Sequence, residues 1–249
     1  MASSSQVQGN RETRLITTAE KNMTAEQVVE LKIREAIDKP EGDLTPEDLL
    51  QVTELELCRL SNEHGCALVN LRGLAGCANL EELDLMWNEL TDISEVWEFK
   101  NLKKLVLHGN HLEDGQLQYL DGLTELTELS LGGNQFTRIP DLKQYPKLWE
   151  LSLCGQFHHD DLSGVVDAKG LEVLDIRGCC YQDLSALEGL GKLEWVKNGE
   201  EGNTVPGSEL ERIARIFGAR LQCCSFGNDQ FTLDEGELHS EQFYPTEED

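Results

Sequence analysis

Leucines recur through the middle of the chain in the pattern LxxLxLxxN, in which x is mostly polar. The pattern is complete in residues 80–88, 102–110 and 126–134, and looser in residues 148–156 and 171–179. The first residues of these five copies are 22, 24, 22 and 23 positions apart. A fixed period of this length indicates a solenoid, in which each unit buries its apolar edge against the next.

Each copy predicts one short β-strand. Leu83 and Leu85 flank Asp84, and such alternation places both leucines on one face of a strand. An imperfect copy from Val52 and a degenerate one from Leu193 bring the number of repeats to about six or seven. Equal spacing of the copies predicts a parallel sheet, with extended or 3₁₀-like turns on the opposite side.

Asparagine closes the three regular copies at Asn88, Asn110 and Asn134. A buried amide at this point is expected to bind backbone groups where the chain turns out of the strand. Gln156 and Cys179 occupy the same place in the later copies, so we expect these repeats to be less regular.

Helix signals flank the repeats on both sides. Thr24 and Gln27 form a capping box, and Thr45 followed by Pro46 begins a second short helix. After the repeats, apolar residues at helical spacing predict one more helix, followed by a closing strand. The predicted parts are a flexible N-terminal tail (1–23), a helical cap (24–51), the repeats (52–198), a C-terminal cap (199–227) and an acidic disordered tail (228–249).

The repeats and both caps resemble a known family. The segment LTDISEVWEFKNLKKLVLHGN resembles the 22-residue repeats of internalins and of the SDS22-like class of leucine-rich repeat proteins. The leader ELKIREAIDKPEGDLTPEDLLQVTELEL resembles an internalin-like N-terminal cap, and GSELERIARIFGARLQCCS is similar to the segment that closes such proteins. The resemblance implies an α/β fold, namely a right-handed solenoid with a concave parallel β-sheet, a helical N-terminal cap and a helix-strand C-terminal cap. It also implies a protein-binding role.

Charge and composition restrict the partners. The chain has 47 Asp and Glu against 21 Lys and Arg, a net charge of −26, which argues against nucleic acid and anionic membranes. No apolar run is long enough to span a bilayer, and the sequence after Met1 lacks the basic and apolar regions of a signal peptide. We therefore expect a cytoplasmic protein whose eight cysteines, none in a CxxC pair, are thiols.

The candidate binding surface is the concave face, to which repeat positions three, five and seven point. These positions are mostly acidic, with a lysine spot at Lys103 and Lys104. An apolar cluster is predicted at the C-terminal ends of the strands, and two tryptophans at the N-terminal ends. The predicted partner-binding residues are Met86, Trp87, Lys104, Val106, His108, Trp149, Arg177 and Trp195. The structural alternative is that each indole lies flat over a neighbouring repeat.

The sequence thus predicts a non-catalytic interaction module, expected to be a monomer without cofactor or metal, in a regulatory or scaffold role. The predicted partner is a protein with a basic or apolar segment. One alternative is a metal-dependent or other enzyme that uses the loop His158-His159-Asp160-Asp161. Another is an exported internalin-like adhesin.

Overall fold

The computed structural model describes residues 23–60, 66–155, 161–197, 207–217, 223–226, 229–234 and 237–242. Two helices precede the sheet, α1 (Ala25–Ala36) and α2 (Pro46–Leu49). Each begins at a predicted threonine: Thr24 forms a capping box with Gln27, and Thr45 forms one with Asp48. Both helix starts are therefore confirmed.

Seven parallel strands of three residues each follow, in chain order, as predicted. They are β1 (Glu54–Glu56), β2 (Glu82–Asp84), β3 (Lys104–Val106), β4 (Glu128–Ser130), β5 (Glu150–Ser152), β6 (Val173–Asp175) and β7 (Trp195–Lys197). Equivalent repeat positions lie side by side, so that Leu105 pairs with Leu83 on one side and Leu129 on the other. These leucines are buried, whereas the flanking residues of each strand face the concave surface.

Short 3₁₀ helices form the opposite side of the solenoid, as predicted. In the described chain they are Arg72–Leu74, Ser94–Glu98, Asp114–Leu120, Leu142–Gln144, Ser163–Asp167 and Ser185–Gly189. Each turns one or two apolar side chains inward, such as Val96 and Val165, which are fully buried. One continuous core therefore runs between the sheet and these turns.

The repeat asparagines bind the backbone as expected. Asn110 donates through Nδ2 to the carbonyls of Leu107, at 2.9 Å, and Leu85, at 3.0 Å, and its Oδ1 accepts from the Leu90 amide at 3.1 Å. Asn88 and Asn134 make the equivalent bonds in their repeats.

The later repeats satisfy this position differently. Cys179 keeps the contact with the preceding repeat: its thiol donates to the Leu153 carbonyl at 3.2 Å. Gln156 lies outside the described residues.

The C-terminal cap begins with helix α3 (Gly207–Phe217), which packs against the last 3₁₀ segment through buried Ile213 and Phe217. Arg212 on this helix forms ion pairs with Glu188, Asp183 and Glu209. Strand β8 (Cys223–Phe226) then pairs parallel to β7 and continues the sheet.

Two more strands extend the sheet inside the segment predicted to be disordered (228–249). They are β9 (Asp229–Asp234) and β10 (Glu237–Gln242), an antiparallel pair in which Asp234 lies opposite Glu237. The difference has a physical reason. Phe231 and Leu233 alternate with polar residues, and only two residues, the second a glycine, separate the strands, which is a hairpin pattern. The prediction of disorder is therefore wrong for the residues of these two strands.

Candidate functional site

The concave face carries a depression of about 390 Å³ over strands β3 to β6, here called the central basin. It collects six of the eight predicted residues, namely Met86, Trp87, Lys104, Val106, His108 and Arg177. They come from three repeats, those that begin at Leu80, Leu102 and Leu171, and residues of the two repeats in between complete the lining. All of them except Trp87 hold positions three, five or seven, which the period-two alternation turns to the same side.

Gly132 makes the basin possible. His108, Gly132 and Cys154 hold position seven in three successive repeats, and the missing side chain in the middle lets the outer two meet. A Cβ at Gly132 would lie 2.1 Å from the Cys154 carbonyl oxygen and 2.8 Å from His108 Nδ1. Across this gap His108 Nδ1 lies 3.4 Å from Cys154 Sγ. Ser152 also contacts the thiol, with Oγ 3.3 Å from Sγ.

Trp87 forms one wall of the basin. Its indole meets the His108 ring edge-on, with centroids 4.9 Å apart and planes at 82°, and the side chain remains 45% exposed. The backbone of Trp87 has φ of 56°, in the left-handed region. Such a backbone costs a non-glycine residue roughly 1–2 kcal/mol.

Each carboxylate that lines the basin has a cationic partner. The pairs are Lys104 Nζ with Glu128 at 3.1 Å, Lys197 Nζ with Glu150 at 3.5 Å, and Arg177 Nη2 with Asp175 at 2.7 Å. Asp175 is buried, and the Arg177 guanidinium donates to both of its carboxylate oxygens, through Nε and Nη2. The basin is therefore close to neutral in a strongly acidic protein.

The predicted lysine spot is neutralised by the same pairing. Lys103 Nζ lies 2.6 Å from Glu81, and Lys104 is held by Glu128. These hydrogen bonds raise the pKa of both lysines. The two lysines thus do not form a free basic patch.

Beside the basin lies an acidic end formed by Glu54, Glu56, Glu82 and Asp84 on β1 and β2, which lines a second depression of about 390 Å³. Glu54 lies opposite Glu82, and Glu56 lies opposite Asp84. Strands in a sheet are about 4.8 Å apart, so like charges face each other at close range. Among the described residues, no lysine or arginine forms an ion pair with Glu54, Glu82 or Asp84.

The two remaining predicted residues lie away from the basin. Trp149 is half-buried and lines a shallow depression with Lys147, Glu172 and Lys192. Trp195 begins β7 and is 38% exposed. The structure therefore separates the two tryptophans at the N-terminal strand ends from the apolar cluster at the C-terminal ends.

Most of the predicted metal loop, His158 to Asp161, lies outside the described residues. These residues are His158, His159 and Asp160, while the Asp161 carboxylate accepts from the amide and hydroxyl of Ser163. Within the described chain, no group of three His, Cys, Asp or Glu side chains is placed to hold a metal ion. Nor does any helix in that part have the length and apolar character to cross a membrane.

Sequence reasoning did not select Cys154 and Ser152, although both lie in the basin. The signal was available, since Cys154 shares position seven with Met86 and His108. A glycine between two larger side chains at the same repeat position, as at Gly132, marks the point where the outer residues can touch.

Comparison with known proteins supports the architecture. Family models for leucine-rich repeats match residues 76–93 and, as two copies, residues 100–144. Comparison by sequence with curated proteins gives no match.

Solved structures with a similar fold include proteins of two bacteria. Internalin C2 of Listeria monocytogenes is 22% identical, with a TM-score of 0.57, over 80% of this chain and 92% of that one. A leucine-rich repeat protein of Leptospira interrogans is 23% identical, with a TM-score of 0.58, over 74% and 51%. The functional domain of InlJ from Listeria monocytogenes is 19% identical, with a TM-score of 0.55, over 79% and 45%. The chain thus spans about half the length of the last two. It contains leucine-rich repeats and has an internalin-like fold.

Proposed function

We propose that the chain is a non-catalytic module that binds a segment of a partner protein on its concave face, in a regulatory or scaffold role. The observation that carries this proposal is Trp87, a large indole that stays 45% exposed at the wall of the basin although its backbone is strained. Strained residues of this kind concentrate at functional sites. Tryptophan is also a frequent anchor of protein interfaces.

The distribution of charge supports a partner with a basic or apolar segment. The central basin offers apolar and aromatic walls without net charge, because its carboxylates are paired. The acidic end beside it presents Glu54, Glu82 and Asp84 to solvent or to a partner. A segment with an apolar side chain for the basin and a basic one for the acidic end would complement both.

The test measures how tightly variants of the full chain bind a partner that the wild-type chain captures. Affinity purification with mass spectrometry first identifies proteins held by the wild type, and the purified partner is then titrated calorimetrically. Replacing Trp87 and Trp149 together by alanine should lower the affinity at least tenfold, while Trp97→Ala should leave it unchanged. Trp97 is the matched control because it is 53% exposed on the opposite, 3₁₀ side. An unchanged affinity in the double variant would overturn the proposal.

The site of action is proposed to be the cytoplasm. Cell fractionation tests this, and the chain should be found in the soluble intracellular fraction. Exposure on the cell surface would favour the alternative of an internalin-like adhesin.

A further inference from the structure

Cys154 has a different setting from the other five cysteines whose side chains the structure describes. Cys77 and Cys179 are buried, and burial raises the pKa of the Cys77 thiol to about 11 and also raises the pKa of Cys66. Cys58 lies 3.5 Å from the Glu56 carboxylate. Cys154 is half-buried, opens into the central basin and contacts an imidazole.

The contacts of Cys154 suit a thiolate. His108 Nδ1, at 3.4 Å, can accept the thiol proton, and the Ser152 hydroxyl at 3.3 Å donates to the sulfur. Hydrogen bonds to the charged form of a group favour that form. A thiol next to an imidazole is also a common arrangement of reactive cysteines.

The charged groups around the pair do not oppose this arrangement. The carboxylates of Glu128, Glu150 and Asp175 line the same basin, and each is paired with its own cation, Lys104, Lys197 and Arg177 respectively. Among the described residues, the carboxylates that line the basin are thus compensated, although the protein as a whole is acidic.

Gly132 makes the contact specific rather than incidental. The residues are 46 positions apart and come from strands with β4 between them. Any side chain at Gly132 would occupy the space in which sulfur and imidazole meet. The same gap leaves the thiol open to a small molecule in the basin.

We propose that Cys154 is a reactive thiol and that the central basin is a modification site for small disulfides and soft electrophiles. His108 takes the proton from Cys154 Sγ, and the thiolate attacks one sulfur of the disulfide. As the new sulfur–sulfur bond forms, the old one breaks, and the departing thiolate is protonated by His108. One disulfide and one thiol give one mixed disulfide and one thiol, so no further oxidant is required.

Modification would block the basin. If the proposed function is correct, the attached group occupies the place of the partner's apolar side chain, and partner binding becomes sensitive to the thiol–disulfide balance. The reactivity itself needs no partner. Failure of the reactive thiol and failure of the binding function can therefore be told apart.

The experiment treats the full chain with 4,4′-dithiodipyridine at pH 6 and measures the rate at each cysteine by mass spectrometry of peptides. Cys58 and Cys180 are internal controls, since both are half-buried like Cys154. An ordinary thiol with a pKa of about 8.5 is only about 0.3% thiolate at this pH. Cys154 should react at least tenfold faster than the two controls.

Variants separate the role of the imidazole from mere exposure. His108→Phe keeps an aromatic ring against Trp87 but removes the proton acceptor, so the Cys154 rate should fall to that of the controls, which should not change. His108→Gln serves the same purpose if the phenylalanine variant does not fold. Equal rates at all three cysteines in the wild type, or a Cys154 rate unaffected by either variant, would overturn the proposal.

Discussion

The indole of Trp87 lies against Gly109 of the next repeat, so closely that a Cβ there would be 2.5 Å from Trp87 Cε3. Both residues hold position eight and have left-handed backbones, with φ of 56° and 71°. Later repeats keep glycine at this position, as at Gly133 and Gly155, which are also left-handed. The indole thus packs on its neighbour, as the structural alternative expects, and nevertheless leaves almost half of its surface exposed.

The strain at Trp87 predicts different stabilities for two small replacements. Glycine tolerates the left-handed backbone and alanine does not, so Trp87→Gly should be more stable than Trp87→Ala by about 1 kcal/mol. Both variants lose the same indole and should bind the partner equally poorly. Urea unfolding gives the comparison, and equal midpoints would show that this backbone is not strained.

The asparagine ladder predicts a large loss of stability. In Asn110→Ala the amide of Leu90 loses its side-chain acceptor. The carbonyls of Leu85 and Leu107 each lose one hydrogen bond and keep the one from Asn88 and Asn134, respectively. An unsatisfied buried amide costs roughly 1–3 kcal/mol and each lost hydrogen bond roughly 0.5–1.5 kcal/mol, so we expect a loss of at least about 2 kcal/mol in urea unfolding. Asn101→Ala is the control, because the Asn101 amide is exposed and its hydrogen bond to the Ala78 carbonyl is long, at 3.3 Å. This variant should change stability by less than about 0.5 kcal/mol. Similar losses in both variants would contradict a special role of the buried amide.

The repeat strands and their turns could be predicted from sequence because one rule governs each position. Leu83, Leu105 and Leu129 must all face the core, so strand register and the orientation of the concave residues follow from the period. The helix starts at Thr24 and Thr45 were equally accessible, since capping depends on residues three positions apart.

Contacts that cross repeats could not be predicted in the same way. The meeting of His108 and Cys154 depends on an absent side chain at Gly132. The neutralisation of Lys104 depends on Glu128 in the next strand and on the rotamers of both side chains. Such relationships depend on local packing rather than on period, and the candidate site is built largely from them.

Gly132 offers a test of the central basin that requires no partner. Gly132→Ala places a methyl group 2.1 Å from the Cys154 carbonyl oxygen, so the backbone that follows β5 must shift. Overpacking of this kind costs roughly 1–3 kcal/mol. Gly115→Ala is the control, because nothing lies within 4 Å of its added methyl group. Thermal and urea unfolding should separate the two variants, and equal stability would mean that the gap at Gly132 is not needed.

The acidic end predicts a gain in stability together with a loss of binding. Glu54→Gln removes the repulsion from Glu82 directly opposite, whereas Glu82 itself also faces Lys104 on β3. Like charges in this position cost roughly 0.2–1 kcal/mol. The urea midpoint of the variant should rise at low salt. At about 0.5 M salt it should return toward that of the wild type, because charges are then screened within a few ångströms. Affinity for a basic partner should fall.

Glu98→Gln is the matched control for Glu54→Gln, since it makes the same change of charge on an exposed residue of the 3₁₀ side. It should alter neither the midpoint nor the affinity to a comparable degree. A gain of equal size in both variants would attribute the effect to net charge and not to the pair of strands.

The N-terminal cap should lose stability in acid through Asp48. Hydrogen bonds from Lys39, first, and from Thr45 lower the pKa of this carboxyl to about 2. Because the folded pKa is below the unfolded value of about 3.9, the stabilising contribution is complete above that value and is lost as the pH falls toward 2. Asp48→Asn keeps the side-chain acceptor for Thr45 and removes the charge. The difference in urea midpoint between wild type and variant should therefore be constant from pH 7 to 5 and narrow as the pH falls to 3.

Asp43→Asn changes the charge by the same amount in the loop before α2, so a similar narrowing in that variant would assign the effect to general charge. A difference between wild type and Asp48→Asn that does not vary with pH would show that ionisation of Asp48 does not stabilise the cap.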